Sequence, residues 1–188
     1  MSIDPNKLNS ALDAILEGYR GKFSNKVYSD ENDEYDILME IFGISPLLKR
    51  ENRQYWGREL GMCWQRLVVE ICKQTRNDFG SALQIDGGEP CDLIVGGLAI
   101  DTKYRIGSGD AGTLKKFKAY GSLLSSMGYE PVLLIVREDN LGAAITACHA
   151  GGWTVITGQR TFDYLRDLTG INIKELLLQR AGKFPVVR

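Results

Sequence analysis

Two carboxylates and an amine can meet near the middle of the chain, where apolar runs flank Gly96-Gly97. A pair of glycines between apolar runs predicts a β-hairpin with a two-residue turn. The register set by this turn places Asp92 opposite Asp101, and directly opposed residues have Cβ atoms about 5 Å apart. Lys103 lies two residues beyond Asp101, so its side chain projects from the same face. The sequence therefore predicts two carboxylates and an ammonium group on one side of a hairpin.

The predicted face contains a repulsive contact, because like charges directly opposite each other in a sheet are destabilising. A divalent cation would offset the repulsion between Asp92 and Asp101, since hard cations prefer oxygen ligands. Lys103 would then be left to act on a bound water molecule. The alternative is a surface ion cluster on a solvent-facing hairpin, in which Lys103 pairs with the two aspartates.

The same residues form a pattern that resembles the signature of the PD-(D/E)XK nucleases. Pro90-Cys91-Asp92 is followed, after eight intervening residues, by Asp101-Thr102-Lys103, and Cys91 stands between the proline and the aspartate. Three further segments look most like those of the ApaLI-like type II restriction endonucleases, namely Tyr104–Asp110, Thr113–Phe117 and Leu134–Asn140.

The resemblance covers roughly residues 55–157 and implies a fold, an activity and a partner. The fold is α/β, with an α-β-β-β-α-β mixed sheet flanked by helices. The activity is Mg²⁺-dependent hydrolysis of double-stranded DNA at a short palindromic site, usually by a homodimer. Asp92, Asp101 and the main-chain carbonyl of Thr102 would hold the Mg²⁺, and Lys103 would face the attacking water. A junction resolvase, a repair nuclease, or a DNA-binding module that no longer cuts would share this core.

A long helix is predicted from roughly Tyr55 to Gln74, with an apolar stripe that should pack on the sheet. In the nuclease family, this helix often points a Glu or Gln at the metal site. Gln65 matches the family position, while Glu70 is the carboxylate best placed to add a metal ligand and is a candidate catalytic residue. Glu59 lies about 20° from Glu70 around the helix axis. Each of these residues could instead simply border the apolar face.

The loop after the hairpin contains Gly107-Ser108-Gly109-Asp110-Ala111-Gly112 and leads into a predicted helix at 113–126. Glycines allow close backbone approach, and a helix N-terminus has free N–H groups, so this loop could contact a DNA phosphate. A basic cluster adjoins the loop. The candidate DNA-binding residues are Arg105, Ser108, Lys115, Lys116 and Lys118. The alternative for the three lysines is that they are ordinary solvated helix charges.

The spacing Gly107-x-Gly109-x-x-Gly112 is also that of a dinucleotide-binding loop between a strand and a helix. The strand before it carries Asp101, Lys103 and Arg105, whereas a buried parallel strand should be apolar on both faces. That strand also follows a tight hairpin rather than a crossover helix. A Rossmann-like dinucleotide-binding protein is therefore the second hypothesis.

Composition limits the remaining possibilities. The 188 residues carry a net charge of −1, so a DNA-binding surface has to be a local patch. The four cysteines show no C-x-x-C spacing, which argues against zinc and favours a reducing cytoplasm. No signal peptide opens the chain, and no apolar run approaches the roughly 20 residues of a membrane span. The single histidine, His149, is expected on the surface and argues against a catalytic triad.

Two regions are expected along the chain. Residues 1–50 are predicted to form an N-terminal helical extension, and residues 51–188 the nuclease-like domain. The extension should contain a helix over 1–22 and a solvated acidic run, 30–36, at the start of a second helix. Further strands are predicted at Ala82–Ile85, Pro131–Val136 and Trp153–Thr157, and further helices at Leu141–Ala150, Phe162–Leu168 and Ile173–Leu178.

Overall fold

A computed structural model describes residues 13–20 and 27–187 of the chain. Residues 13–20 are helical and are called α1. The other helices in these ranges are α2 (Ile37–Phe42), α3 (Pro46–Glu51), α4 (Arg53–Thr75), α5 (Ala111–Ser126), α6 (Gly142–Ala150), α7 (Gln159–Thr169) and α8 (Ile173–Leu178). The strands are β1 (Val27–Tyr28), β2 (Phe79–Ser81), β3 (Leu93–Val95), β4 (Leu98–Lys103), β5 (Ser108–Gly109), β6 (Glu130–Ile135) and β7 (Thr154–Thr157).

The main sheet has five strands in the order β2-β3-β4-β6-β7. The first three strands form an antiparallel meander, whereas β6 and β7 run parallel to β4. Parallel neighbours need a crossover, and α5 and α6 supply it. A separate pair, β1 and β5, is antiparallel. The fold is therefore α/β with a mixed sheet flanked by helices, which confirms the predicted class at that level.

The hairpin register predicted from the Gly-Gly turn is confirmed over the apolar residues. The observed pairs are Leu93 with Ile100, Ile94 with Ala99 and Val95 with Leu98. Gly96 adopts a φ of 57°, a left-handed conformation that suits glycine in such a turn. The prediction fails one residue further on, because the N–H of Asp92 donates to the carbonyl of Ile100 at 2.9 Å. Asp92 is thus displaced by one residue from the position opposite Asp101.

Helices cover the sheet on both faces. The long helix α4 begins at its cap Asn52, whose side chain accepts from the N–H of Tyr55. Its buried residues recur every four positions and form one stripe: Trp56, Leu60, Trp64, Val68 and Cys72. Residues of α2, α7 and α8 join this stripe in one core cluster, while α5 and α6 contribute to a second cluster on the opposite face. The predicted helix at 55–74 is confirmed, with slightly wider limits.

Two predicted segments differ from the structure. The first strand of the meander is β2, which pairs Phe79 with Val95, and not Ala82–Ile85. Ile85 instead forms an isolated bridge with Gly88. The helix predicted over 1–22 is observed at residues 13–20, and its remaining positions lie outside the described residues.

The part of the predicted extension that follows the acidic run does not form a core of its own. Ile37, Leu38, Met39, Ile41 and Ile44 belong to the same cluster as Trp64 of α4. A core shared in this way joins α2 to the region that begins at residue 51. Across residues 13–20 and 27–187, no helix combines the length and hydropathy required to cross a bilayer.

Candidate active site

Asp101 and Lys103 lie at alternate positions of β4 and project from the same face, as predicted. Asp101 is buried, with 9% of its surface exposed. The Nζ of Lys103 donates to Oδ2 of Asp101 at 2.5 Å and to the carbonyl oxygen of Thr102 at 3.1 Å. The ammonium group therefore binds two of the oxygens that the sequence assigns to a metal.

Asp92 is held by donors from two elements. Its Oδ2 accepts from the N–H of Thr102 at 2.7 Å and from the hydroxyl of Thr102 at 2.6 Å. Its Oδ1 accepts from Nε2 of Gln65 at 2.8 Å. Three donors on one carboxylate fix its orientation against β4 and α4.

The cluster contains more negative than positive charge. Burial, followed by the negative charge of Asp92, raises the pKa of Asp101 to about 6 against the opposing effect of Lys103. Burial alone would lower the pKa of Lys103, but the charges of Asp101 and Asp92 outweigh it and raise that pKa. Two carboxylates that share one ammonium group therefore repel each other at neutral pH.

Of the three polar residues considered on α4, Gln65 reaches the cluster. Glu70 is exposed and accepts from Nε2 of Gln74 at 2.7 Å, one turn further along the same helix. Glu59 is also exposed and pairs with the neighbouring Arg58 at 2.9 Å. The contacts therefore favour Gln65 over the predicted Glu70 as the helix-borne group.

A pocket of about 190 Å³ opens beside Asp101 and Lys103. Its other walls are Glu89, Pro90, Thr113, Lys116, Phe117, Tyr120 and Trp153. The Nζ of Lys116 lies 5.0 Å from the ring centroid of Tyr120, within range of a cation–π contact. The pocket therefore has Lys103 on one wall and Lys116 on another.

The three predicted lysines of α5 do not share a face. Thr113, Lys116 and Tyr120 face the pocket, as residues three or four positions apart do on a helix. Lys115 and Lys118 lie about 150° away from that direction around the axis. Both are exposed, so they form an ordinary solvated surface apart from the carboxylates.

The predicted role of Arg105 as a phosphate contact is not supported, because its guanidinium group is buried among protein acceptors. Its side chain is 10% exposed. It donates to Ser29, to the carbonyl of Asp30 and to the carbonyl of Asp139 at 2.8–3.0 Å. These contacts occupy the donors on Nε and Nη2, and Nη1 faces Glu31 at 3.9 Å.

The glycine-rich loop is likewise bound to its own chain. Ser108 lies in β5 opposite Tyr28, and the carbonyl of Gly107 accepts from the N–H of Ser29 at 3.0 Å. Asp110 caps α5 by accepting from the N–H of Thr113 at 2.8 Å. A carboxylate at this helix end would repel a pyrophosphate, which argues against the dinucleotide-binding alternative.

Sequence reasoning missed a closed set of buried ion pairs beyond the end of β4. This ion-pair ring consists of Glu31, Asp36, Lys49, Arg105, Arg137 and Asp139, together with the hydroxyl of Tyr104. The charged side chains are at most 10% exposed. The acidic run, predicted to be solvated, therefore supplies two buried carboxylates.

One half of the ring is built around Tyr104, the residue after Lys103. Lys49 contacts Glu31 at 2.5 Å and donates to the hydroxyl of Tyr104 at 2.6 Å. That hydroxyl donates to Oδ2 of Asp36 at 2.5 Å. Burial lowers the pKa of Lys49, and burial together with the charge of Asp36 raises the pKa of Tyr104.

The other half of the ring joins the segment after β4 to the segment after β6. Arg137 donates to Asp36 at 3.0 Å and to Asp139 at 2.8 Å. Arg105 lies 3.2 Å from Asp139 and 3.9 Å from Glu31, which closes the ring. Arg137 directly follows the apolar run predicted as the strand Pro131–Val136, and a charge at the end of a buried strand needs buried partners, so this was the available sequence signal.

No group of three or more His, Cys, Asp or Glu side chains suited to a metal occurs within residues 13–20 and 27–187. The oxygen donors at the candidate site are the carboxylates of Asp92 and Asp101 and the carbonyl of Thr102. In comparisons with known proteins, no family model, no curated protein and no solved structure matches this chain.

Proposed function

We propose that the protein is a Mg²⁺-dependent endonuclease that hydrolyses phosphodiester bonds of double-stranded DNA. By the resemblance, it acts as a homodimer at a short palindromic site, in the manner of a type II restriction endonuclease. The observation that carries the proposal is the convergence of Asp92, Asp101 and Lys103, with Gln65 bound to Asp92.

The order of the elements supports the same proposal. From α4 through β2, β3 and β4 to α5 and β6, the main sheet and its helices follow the α-β-β-β-α-β order that the resemblance to PD-(D/E)XK nucleases implies, and the short strand β5 before α5 lies outside that sheet. The signature residues lie where that order expects them, around the hairpin of β3 and β4.

The donor set fits a hard divalent cation. Burial, followed by the charge of Asp92, raises the pKa of Asp101 to about 6, and a bound cation would stabilise the charged carboxylate against both. Asp92, Asp101 and the carbonyl of Thr102 would hold Mg²⁺, which prefers oxygen ligands and keeps several waters. Bound Mg²⁺ supplies Lewis acidity at a phosphoryl oxygen and lowers the pKa of water.

The protein's own groups have separate tasks in this proposal. Gln65 and Thr102 keep the carboxylate of Asp92 in place through three hydrogen bonds. Lys103 exchanges its contacts with Asp101 and Thr102 for the attacking water and offsets the charge that develops on the phosphoryl group. Lys116, on the opposite wall of the pocket, is placed to neutralise a phosphate there.

Plasmid cleavage tests the proposal directly. Wild-type protein should cut in Mg²⁺ and not in EDTA, and sequencing the fragment ends should reveal the recognition site. Asp101→Ala should abolish cutting but retain DNA binding, while Lys103→Met should lose several orders of magnitude in rate. Lys118→Met, on the exposed side of α5, is the matched control and should cut normally. Cutting within tenfold of wild type by Asp101→Ala would rule out this site.

Two further comparisons separate the alternatives. Cleavage of a four-way DNA junction, measured in parallel with cleavage of the plasmid, distinguishes a junction resolvase from a restriction endonuclease. Thermal melting with Mg²⁺, Ca²⁺ and NAD in turn distinguishes a metal site from a dinucleotide site, because a ligand that binds the folded state raises Tm. Stabilisation by NAD without any metal effect would contradict the nuclease proposal. Metal stabilisation that disappears in Asp92→Ala would support it.

A further inference from the structure

A polar groove of about 640 Å³ lies between the first turns of α4 and the segment that follows β4. We call it the α4 groove. Its α4 wall is Arg53, Gln54, Gly57 and Arg58, and its opposite wall is Ser29, Asp30, Glu31, Tyr104, Arg105, Gly107 and Ser108. A second open depression of about 590 Å³ shares Arg58 and continues along α4 to Arg66.

The α4 groove leads toward the candidate active site. Gly57, Gly61 and Gln65 are four residues apart, so they lie along one face of α4. Gly57 lines the groove, Gly61 lies next to Tyr104, and Gln65 binds Asp92. Two helical turns, about 12 Å along the axis, separate Gly57 from Gln65.

Packing does not explain the glycine at position 57. A Cβ built on Gly57 would meet nothing within 4 Å, and glycine within a helix costs about 1 kcal/mol relative to alanine. The missing side chain keeps the groove open beside Arg58. The opposite wall is rigid, since Tyr104 and Arg105 belong to the buried ion-pair ring.

Most of the exposed charges that α4 contributes to this face are guanidinium groups, and the exposed carboxylates are Glu59 on α4 and Asp30 on the opposite wall. Arg53, Arg58 and Arg66 are all exposed. Arg58 pairs with Glu59, but the two side chains are 67% and 46% exposed, so the pair contributes little. Guanidinium groups bind phosphate oxygens through paired donors.

We propose that the α4 groove binds the sugar–phosphate backbone of DNA and directs it to Asp92. This inference rests on the proposed nuclease function for its substrate, and it makes Arg53 and Arg58, rather than Lys115 and Lys118, the main DNA contacts.

Fluorescence anisotropy with a labelled 20-base-pair duplex in EDTA measures binding without cleavage. Arg53→Glu with Arg58→Glu should weaken Kd at least tenfold. The slope of log binding constant against log salt concentration should flatten by about 2, because roughly 0.9 counterions are released per phosphate contact. Lys115→Glu with Lys118→Glu changes the net charge equally and should shift Kd less than threefold. Equal weakening by both pairs, or greater weakening by the α5 pair, would overturn the inference.

Gly57 provides a test that does not change charge. Gly57→Ala should bind DNA normally and raise Tm, because it adds helix propensity into open space. Gly57→Leu should fold but weaken binding at least fivefold, since its side chain fills the groove. Normal binding by Gly57→Leu would count against the groove.

The groove and the nuclease proposal can fail separately. Cleavage that persists unchanged in the Arg53/Arg58 variant overturns the groove alone. Groove-dependent DNA binding by a protein that never cuts in Mg²⁺ overturns the nuclease proposal alone.

Discussion

Asp101 is a carboxylate of the candidate site whose pKa rises when the chain folds. It is buried between a carboxylate and an ammonium group, and its pKa is raised to about 6 from an ordinary value of 3.8. A charged Asp101 therefore opposes folding in the absence of a cation. Asp101 therefore lowers the stability of the folded protein and creates a position that attracts positive charge. This combination is common at functional sites.

The effect of pH follows from this shift. Because the folded chain binds this proton more tightly than the unfolded chain, the contribution of Asp101 is fully present below about pH 4 and lost as pH rises through 6. The free energy of unfolding of wild type minus that of Asp101→Asn should fall by up to about 3 kcal/mol between pH 4 and 7. Urea unfolding in EDTA across that range measures it.

Asp139 provides a control of opposite sign. Burial would raise its pKa, but the hydrogen bonds from Arg137 and Asn32 and the charges of Arg137 and Arg105 together outweigh burial and lower it. Wild type should therefore gain stability over Asp139→Asn as pH rises through the acid range. If Asp101→Asn and Asp139→Asn gave profiles of the same sign, the assigned charge environment of Asp101 would be wrong.

The catalytic candidates were predictable because strand geometry is local. A two-residue turn and a period of two place Asp101 and Lys103 on one face without knowledge of the rest of the fold. The environment of Arg105 was not predictable from local geometry, since its acceptors Ser29 and Asp139 lie 76 and 34 residues away along the chain. Nothing in its neighbourhood distinguishes a buried arginine from a phosphate contact.

Among the elements, helices with a clear apolar stripe were the easiest to predict. The limits of α4 and α8 follow from apolar residues at helical spacing. Strand β2 was missed because Phe79-Gly80-Ser81 has no alternating pattern of its own and is a strand only through its pairing with β3. The ion-pair ring was missed for the same reason, because it joins the segment before α2 to the ends of β4 and β6.

Because of the ring, substitutions of two aspartates in the acidic run should lower the free energy of unfolding by very different amounts. Asp36→Asn keeps a capping oxygen for α2 but leaves Arg137 and Lys49 with less compensating charge, and should destabilise by about 3 kcal/mol. Asp33→Asn is the matched control, because Asp33 pairs with Arg50 where both side chains are about half exposed. It should cost at most about 1 kcal/mol. Chemical denaturation of both variants would reveal equal losses if the ring were energetically neutral.

The protein as a unit is held together across the predicted boundary at residue 50. Ile37–Ile44 shares its core with α4, and Lys49 reaches the ring from α3. The proposed nuclease region would therefore lose both apolar and ionic partners if the preceding residues were removed.

Truncation tests this dependence. A chain that begins at residue 51 should show no cooperative unfolding transition, since it lacks Glu31, Asp36 and Lys49 as well as the apolar residues of α2. A chain that begins at residue 27 is the control and should unfold cooperatively, because every residue of the ring lies beyond that point. Circular dichroism during thermal melting distinguishes the two. A cooperative transition in the shorter chain would show that residues 51–188 fold independently.

The ion-pair ring also has a consequence for synthesis on the ribosome. Asp36 precedes its partner Arg137 by 101 residues. At a synthesis rate of about 5–20 residues per second, Arg137 is therefore added about 5–20 seconds after Asp36. Asp92, Asp101 and Lys103 have all emerged by then. A nascent chain that is released before Arg137 carries these candidate residues without the ring that holds the end of β4, so an abortive translation product would present the candidate site without its support.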